Sequence, residues 1–413
     1  MQSAERTTAP PIPVADPTTP EVVARPRLWT RTFVLLCAVS FFCYVHWSLL
    51  GPVLPLYIQE HGGSAALVGA MSFAFSVTSF TLRPLLGRLV DSWKIRGVAG
   101  IGTLLLTVMS LGYLAYNVVL MLVIRGIHGF GWACYNTGCN TLVSRIAPVT
   151  RRGEAVGFMT TAQSVAIALV PSTGLFLLGW IGFTGIFLLS AAAGLLASLA
   201  VLGMPRQPAP PPRPAGETFW RSLFEPTALM PSTLHFLSQL PHSLTVTFIP
   251  IYATARGIPI ESLIAYYLGY GLCGVAGKVW LGKLSDRFGR GWTLVLGFSL
   301  LVVAMFLFAV STDIVSLTIA GILGAASGSA TSPAGMALAI DRSRPDKRGA
   351  AMANYSMAFQ MGDGGGALLW GLLIAAVGYQ TTYVLAALPA VAGLLILARN
   401  WRETGAPRAT SPA

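Results

Sequence analysis

The sequence predicts an all-α integral membrane protein, with twelve transmembrane helices arranged as two pseudo-symmetric six-helix bundles. Three observations predict it. Of the 413 residues, 54% are hydrophobic and only 10% are charged, with a mean hydropathy of +0.67. An ordinary soluble domain carries about a quarter charged residues. Basic residues gather in alternate connections between apolar segments. Short patterns recur at a nearly constant offset of about 195 residues, the mark of an internal repeat.

Segment length turns the composition into spans. Stretches such as Thr32–Ile58, Ala99–Tyr116 and Trp292–Ser311 approach or exceed the roughly 18–20 residues that cross hydrocarbon. In order, the first six predicted spans cover about 32–58, 66–87, 97–116, 118–146, 153–178 and 181–203. The second six cover about 229–254, 262–284, 292–311, 314–340, 349–377 and 379–399. Between the sets lies Pro205–Gly216, PRQPAPPPRPAG, a proline-rich basic linker that cannot continue a helix. The expected organisation is a disordered cytoplasmic tail (1–27), a six-helix bundle (28–203), a cytoplasmic linker (204–228), a second bundle (229–401) and a short tail (402–413). The first tail is rich in Pro and Thr and has no apolar core, so it does not read as a signal peptide.

The net charge of +12 could suggest nucleic acid, but its distribution points to a membrane. The basic clusters are Arg25/Arg27/Arg31, Arg88/Lys94/Arg96, Arg145/Arg151/Arg152, Arg206/Arg213/Arg221, Lys283/Arg287/Arg290, Arg342/Arg344/Lys347/Arg348 and Arg399/Arg402. They fall in the tails and every second connection, and the other connections hold only Arg256. This positive-inside pattern places both termini in the cytoplasm. Arg83, Arg125 and Lys278 lie within or at the edge of apolar spans. The five cysteines (Cys37, Cys43, Cys134, Cys139, Cys273) all fall in apolar segments without metal-site spacing and read as buried thiols.

The repeat is visible in three patterns. Pro55-Leu-Tyr57 returns as Pro250-Ile-Tyr252. Arg83, Gly87 and Asp91, four residues apart, return as Lys278, Gly282 and Asp286. Arg152-Gly153 returns as Arg348-Gly349. An even number of spans per unit gives both halves the same orientation, as in transporters with parallel repeats and a central site.

Four motifs carry a family resemblance. Gly87-Arg88-Leu-Val-Asp91 follows span 2, and Gly282-Lys-Leu-Ser-Asp286-Arg287-Phe-Gly-Arg290 follows span 8. This doubled loop resembles the signature of the major facilitator superfamily, although the first copy departs at Ser92-Trp93-Lys94-Ile95. The resemblance implies a cytoplasmic latch built from Gly87, Arg88, Asp91, Gly282, Asp286, Arg287 and Arg290. The alternative is a basic loop that only sets topology. Arg125-Gly-Ile-His128-Gly-Phe-Gly131-Trp-Ala133 resembles the helix 4 signature of proton-coupled exporters in that superfamily. It implies a role for Arg125 in proton transfer or substrate binding, against a purely structural hydrogen bond. In span 5, Gly157, Pro171 and Gly174 match three positions of the antiporter signature, with other glycines replaced by Ala166, Val170 and Leu175. They imply a bent helix packed closely on the other half. The run Pro52–Tyr57, Gly62-Gly-Ser64, Val68-Gly69 and Arg83-Pro84 is similar to the sugar- and drug-efflux permeases.

Polar residues inside the spans supply the candidate chemistry. Asp363 is the one carboxylate near the middle of a predicted span, next to Gln360 and a glycine run. A carboxylate in hydrocarbon is costly as an ion and is a candidate to load and release a proton. The glycines would permit close packing or local unwinding. His46 and Trp47 lie midway along span 1, and His128 lies one turn from Arg125. His235, Gln239 and His242 share a helical face of span 7. Tyr44, Asn136 and Gln163 are weaker candidates. If these groups face inward the cavity is basic, and the solute is expected to be anionic or to bear a carboxylate. Met357 and Met361 read as packing, so no metal is expected.

No Gly-x-x-x-x-Gly-Lys-Ser motif for ATP appears, nor any catalytic constellation or cofactor signature. The expectation is a non-enzymatic, proton-coupled secondary transporter without cofactors, exporting a small amphipathic metabolite, chelator or drug by alternating access. It is expected to act as a monomer in a bacterial inner membrane, with lipid, solute and protons as partners and no nucleic acid. Uptake of an organic anion and a sensor that moves nothing remain the alternatives.

Overall fold

The computed structural model describes residues 28–83, 85–86, 89, 95–115, 117–148, 151–205, 225–344 and 347–404. The described residues are helical almost throughout, without strands. Hydrocarbon demands this, because only a helix or closed barrel satisfies every backbone polar group internally. The helices are α1 (Arg31–Glu60), α2 (Ala65–Thr81), α3 (Ile95–Gly112) and α4 (Val118–Ile146). The run Arg152–Leu202 follows, broken at Gly182 into arms α5 (152–181) and α6 (183–202). Then come α7 (Leu229–Ala255), α8 (Leu263–Phe288), α9 (Arg290–Val310) and α10 (Ile314–Arg342). The run Arg348–Arg399 is broken at Gly378 into α11 (348–377) and α12 (379–399).

Local chemistry starts and bends these helices. Thr30, Ser64, Asn117 and Asp313 cap α1, α2, α4 and α10 by accepting a first-turn backbone N–H. Hydrogen bonds from Ser316 hold the Asp313 carboxyl below its usual range. Gly182 (φ 63°) and Gly378 (φ 79°) reverse the chain in left-handed backbone that costs a side-chain-bearing residue about 1–3 kcal/mol. These two glycines are 196 residues apart, and Gly62 and Gly257, both with positive φ after α1 and α7, are 195 apart. The backbone therefore repeats the duplication seen in the sequence.

Among the described residues, seven helices are long and apolar enough to cross a membrane by length and composition, and two of these are the bent double runs. Three remain. Helix α2 is apolar but 17 residues long in its described part. Helices α7 and α8 are long enough but carry His, Gln, Ser, Thr, Tyr and Lys side chains. On α7 most of the polar side chains are buried inside the protein rather than turned to lipid.

Helices α1–α6 pack as one bundle and α7–α12 as the other. They meet along α2–α11, α5–α8 and α1–α7. The basic connections share one end of the molecule. At the opposite end Thr254 donates to Gln59 across the halves at 3.1 Å; these residues too are 195 apart. Contact there is backbone-close, since a Cβ on Gly69 would meet the Ala367 carbonyl and one on Gly371 the Ala65 carbonyl. Helices α5 and α8 touch at Ala168 and Gly271. Toward the basic end both become exposed, at Val156, Phe158 and Thr160 and at Leu272, Val275 and Trp280, so the halves part there.

Helix α11 runs unbroken through its glycines, which serve packing and not unwinding. Gly364 abuts Ser76 of α2, while Gly362 and Gly366 abut Gln239 and Ser243 of α7. Residues 1–27 and 405–413 of the expected tails, most of the linker (206–224) and residues Gly87, Arg88 and Asp91 lie outside the described residues, and the second tail begins inside the short helix Trp401–Thr404.

The glycines give a paired prediction. A Cβ on Gly364 would run into the Ser76 Cβ, whereas one on Gly365 enters open space. Gly364→Ala is expected to destabilise the protein by about 1–3 kcal/mol through overpacking, and Gly365→Ala to leave it near wild type. Thermal unfolding in detergent, followed by size-exclusion chromatography, checks the difference.

Candidate functional site

A narrow cleft opens between the two bundles. Trp47, Gly51, Leu54, Pro55 and Ile58 of α1 and Val68, Met71, Ser72, Phe75 and Ser76 of α2 line one side. Val246 and Thr247 of α7 and Asp363 of α11 line the other, and Arg125 enters from α4. The lining is mostly apolar with a few convergent polar groups, the usual make-up of a small-molecule site. Among the described residues its only charged side chains are Arg125 and Asp363.

These two come from different halves and interact across the cleft. The Arg125 guanidinium stacks over the Phe75 ring at 4.9 Å, a contact that attracts a cation to the ring face. Its Nε is buried without a hydrogen-bond partner. The Ser76 hydroxyl lies beside Asp363 but outside hydrogen-bond geometry and has no other partner. Buried polar groups are almost always satisfied, so unpaired ones at a cleft mark a place for water or ligand.

An aromatic cluster continues the wall. Trp132 of α4 contacts Trp47 at 6.0 Å, Tyr44 at 5.2 Å and Phe75 at 6.3 Å between ring centroids. Tyr44 also faces Arg83, whose Nε is buried and unpaired.

The histidines turn away from the cleft. His46 Nε2 lies 2.8 Å from His128 Nε2 inside the first bundle. His46 Nδ1 reaches the Ser190 carbonyl at 3.0 Å, and His128 Nδ1 reaches the Tyr113 hydroxyl at 3.0 Å. In the second bundle, His235 stacks flat on Tyr355 at 4.0 Å and His242 bonds Tyr270 at 2.8 Å. Gln239 is buried against Gly362 with its Oε1 unpaired, and Gln360 is buried. Asn136 bonds Asn140 on α4, and Gln163 is half-buried on α5. The expectation of a basic, histidine-lined cavity is therefore corrected: each of these histidines meets its ring partner in its own bundle, although His235 Nδ1 is buried without a hydrogen bond.

The motif residues divide as well. Pro171 is buried in α5. Gly174 packs on Leu49 of α1 in its own half, and Gly157 faces open space. The expected close packing of these positions on the other half is not found; Ala168 makes that contact instead. In the second loop copy, Arg290 bonds Ser285 at 3.0 Å and pairs with Asp341 of α10 at 3.7 Å. Arg287 lies over the Phe288 ring, and Gly282 faces open space. Helix α8 includes Asp286, whose side chain lies outside the described residues.

Sequence reading missed Phe75, Ser76, Tyr113 and Trp132 as site residues. Trp132 stood inside the quoted α4 motif, so its signal was present. Ser76 and Tyr113 had none, because a lone hydroxyl in an apolar span is unremarkable until its neighbour is known. Among the described residues no cluster of His, Cys, Asp or Glu could hold a metal ion.

A family model described as Major Facilitator Superfamily matches residues 36–278 and again 232–413. The chain is 26% identical over 301 residues to a multi-drug resistance efflux pump PmrA homolog of Lactococcus lactis, covering 65% of this chain and 70% of that one. It is 25% identical over 391 residues to multidrug resistance protein MdtG of Escherichia coli, covering 88% and 92%. Among solved structures it resembles the nucleoside transporter NupG, with a TM-score of 0.73, 14% identity, and 91% and 100% coverage. It also resembles a bacterial homolog of the lysosomal transporter Spinster in an inward-facing, occupied conformation. That match has a TM-score of 0.74, 15% identity, and 92% and 98% coverage.

The division between cleft and bundle interior predicts separable effects. Trp47→Ala is expected to weaken binding of an amphipathic dye such as ethidium roughly tenfold, as loss of an aromatic anchor does. His235→Phe, which keeps the stack on Tyr355, is expected to leave it unchanged. Fluorescence titration of the purified protein checks both.

Proposed function

The chain belongs to the Major Facilitator Superfamily and is a multi-pass membrane transporter, and we propose that it exports small amphipathic solutes in exchange for protons. One observation carries this reading: Asp363 of the second half faces Arg125 of the first across the cleft. The efflux direction is supported by the resemblance to multidrug resistance proteins.

The mechanism follows from electrostatics and topology. An ionised carboxylate in a poorly solvated cleft is stabilised by a nearby cation and destabilised without one. A proton on Asp363 removes its attraction to Arg125; its loss restores the pair. A solute with an apolar body packs on Trp47 and Phe75 while its polar group competes for Asp363. Proton and solute then cannot share the site, which is the condition for exchange. The halves rock about the cleft, meeting at the end that carries Gln59 and Thr254 and parting at the basic end. With the basic connections in the cytoplasm, the cleft faces inward, and the loops at Arg287 and Arg290 latch that side in the opposite state. The protein works as a monomer in the inner membrane.

A carboxylate-bearing solute is the second reading, favoured by the unpaired Nε of Arg125. The two readings differ in sign. A cationic or neutral solute releases a proton from Asp363 on binding. An anion captures Arg125, leaves Asp363 without its counter-charge and draws a proton in.

The test uses protein reconstituted in proteoliposomes with ethidium as probe. Asp363→Asn is expected to lose proton-gradient-driven ethidium transport by at least about tenfold while keeping ethidium–ethidium exchange. Full proton-driven transport by this variant would remove Asp363 from the mechanism.

A further inference from the structure

The first bundle contains a chain of buried polar groups that leads away from the cleft. It runs from Arg125 past the Tyr113 hydroxyl to His128, then His46, then the Ser190 carbonyl. Tyr113, His128 and His46 are fully buried. Four elements contribute to it: α1 (His46), the end of α3 (Tyr113), α4 (Arg125 and His128) and α6 (Ser190).

The two ends decide where the protons sit. A guanidinium only donates and a backbone carbonyl only accepts. His46 Nδ1 lies 3.0 Å from the Ser190 carbonyl, so Nδ1 carries the hydrogen. The Ser190 hydroxyl, also 3.0 Å from His46 Nδ1, is accommodated by donating to the His46 carbonyl at 3.2 Å, and the Ser110 hydroxyl, 3.4 Å from the same nitrogen, bonds the Ser190 hydroxyl at 3.1 Å. In neutral His46, Nε2 is then an acceptor, so His128 Nε2 must donate across the 2.8 Å contact. Neutral His128 is left with Nδ1 as an acceptor, which takes the Tyr113 hydroxyl hydrogen at 3.0 Å. Tyr113 thus turns only oxygen lone pairs toward Arg125. The reverse order fails at both ends, setting an imidazole lone pair against a carbonyl and a phenolic O–H against a guanidinium.

We infer that Tyr113, His128 and His46 are positioning residues for Arg125: a one-directional hydrogen-bond chain that holds the guanidinium beside Asp363 without letting it pair fully with the acid. A further proton on His46 sets its Nε2–H against the His128 Nε2–H, and one on His128 sets its Nδ1–H against the Tyr113 O–H. Relief requires the Tyr113 hydroxyl to turn its hydrogen toward Arg125, which drives the guanidinium into the cleft. The titratable or charged groups that bear on the chain are Arg125 and Tyr113 at its cleft end, with Asp363 of α11 beyond them. The chain has no copy in the second half, where Phe308 stands 195 residues after Tyr113 and Pro241 stands 195 after His46.

The inference rests on the proposed site but is tested without transport. Nitrogen-15 NMR of histidine-labelled protein reads each tautomer directly. His46 is expected as the Nδ1–H form and His128 as the Nε2–H form; the opposite pair of tautomers would overturn the chain. Two substitutions add a readout that mere packing would not move. His128→Asn keeps an acceptor near the Nδ1 position, whereas His128→Gln places its amide near Nε2 and cannot accept from Tyr113. Loss of the Tyr113 bond frees Arg125 to pair with Asp363 and compete with a cation. His128→Gln and Tyr113→Phe are therefore expected to raise the ethidium dissociation constant roughly tenfold, and His128→Asn to stay within about threefold of wild type. Equal losses in the Asn and Gln variants would make His128 a packing residue only. If the tautomers and the Asn–Gln order hold but no proton-driven efflux is seen, the coupling proposal fails and the positioning role stands.

Discussion

A charged group cannot stand alone in hydrocarbon, and this chain brings a cation and an acid to its central cleft from opposite halves. Arg125 and Asp363 come within electrostatic reach of each other only when both halves are in place. The cost of isolating either is several kcal/mol, enough to bias how the bundles meet. Much of the architecture serves this approach. The α11 glycines let α2 and α7 come within backbone contact of the Asp363 turn, and the Phe75 ring supports the guanidinium.

The duplicated fold makes the asymmetry plain. A shift of 195 residues carries Ser76 onto Gly271 and Asp363 onto Ala168. Ser76 and Asp363 meet at the α2–α11 seam, and Gly271 and Ala168 meet at the α5–α8 seam. The same contact is polar in one seam and dry in the other. The dry seam offers a pivot with no proton-dependent energy, while the polar seam changes with the state of its acid. Repeated bends at Gly182 and Gly378 give both bundles the same frame, so the chemistry resides in where the copies diverged.

The scaffold was largely legible because hydrocarbon imposes simple rules. Span boundaries, the alternate basic connections and the repeat all follow from length, charge and offset, and the bend at Gly378 falls between two predicted spans. Asp363 and Arg125 stood out because charge inside an apolar run is rare. Direction around a helix was not legible. His46 and Trp47 are neighbours, yet successive residues on a helix point about 100° apart, so Trp47 meets the cleft and His46 meets His128. His235 and His242 do share a face of α7, but it is the face turned to Tyr355 and Tyr270 in the same bundle. Periodicity reports which residues lie together and is silent on which neighbour they meet.

The central claim is that solute and proton compete at Asp363 opposite Arg125. Proton release on binding measures this most directly: ethidium is added to purified protein in weakly buffered detergent solution, and the pH change is followed with an indicator dye. The account predicts release that saturates with ethidium binding in the wild type and disappears in Asp363→Asn, even where the variant still binds the dye. Equal release from both proteins would contradict it.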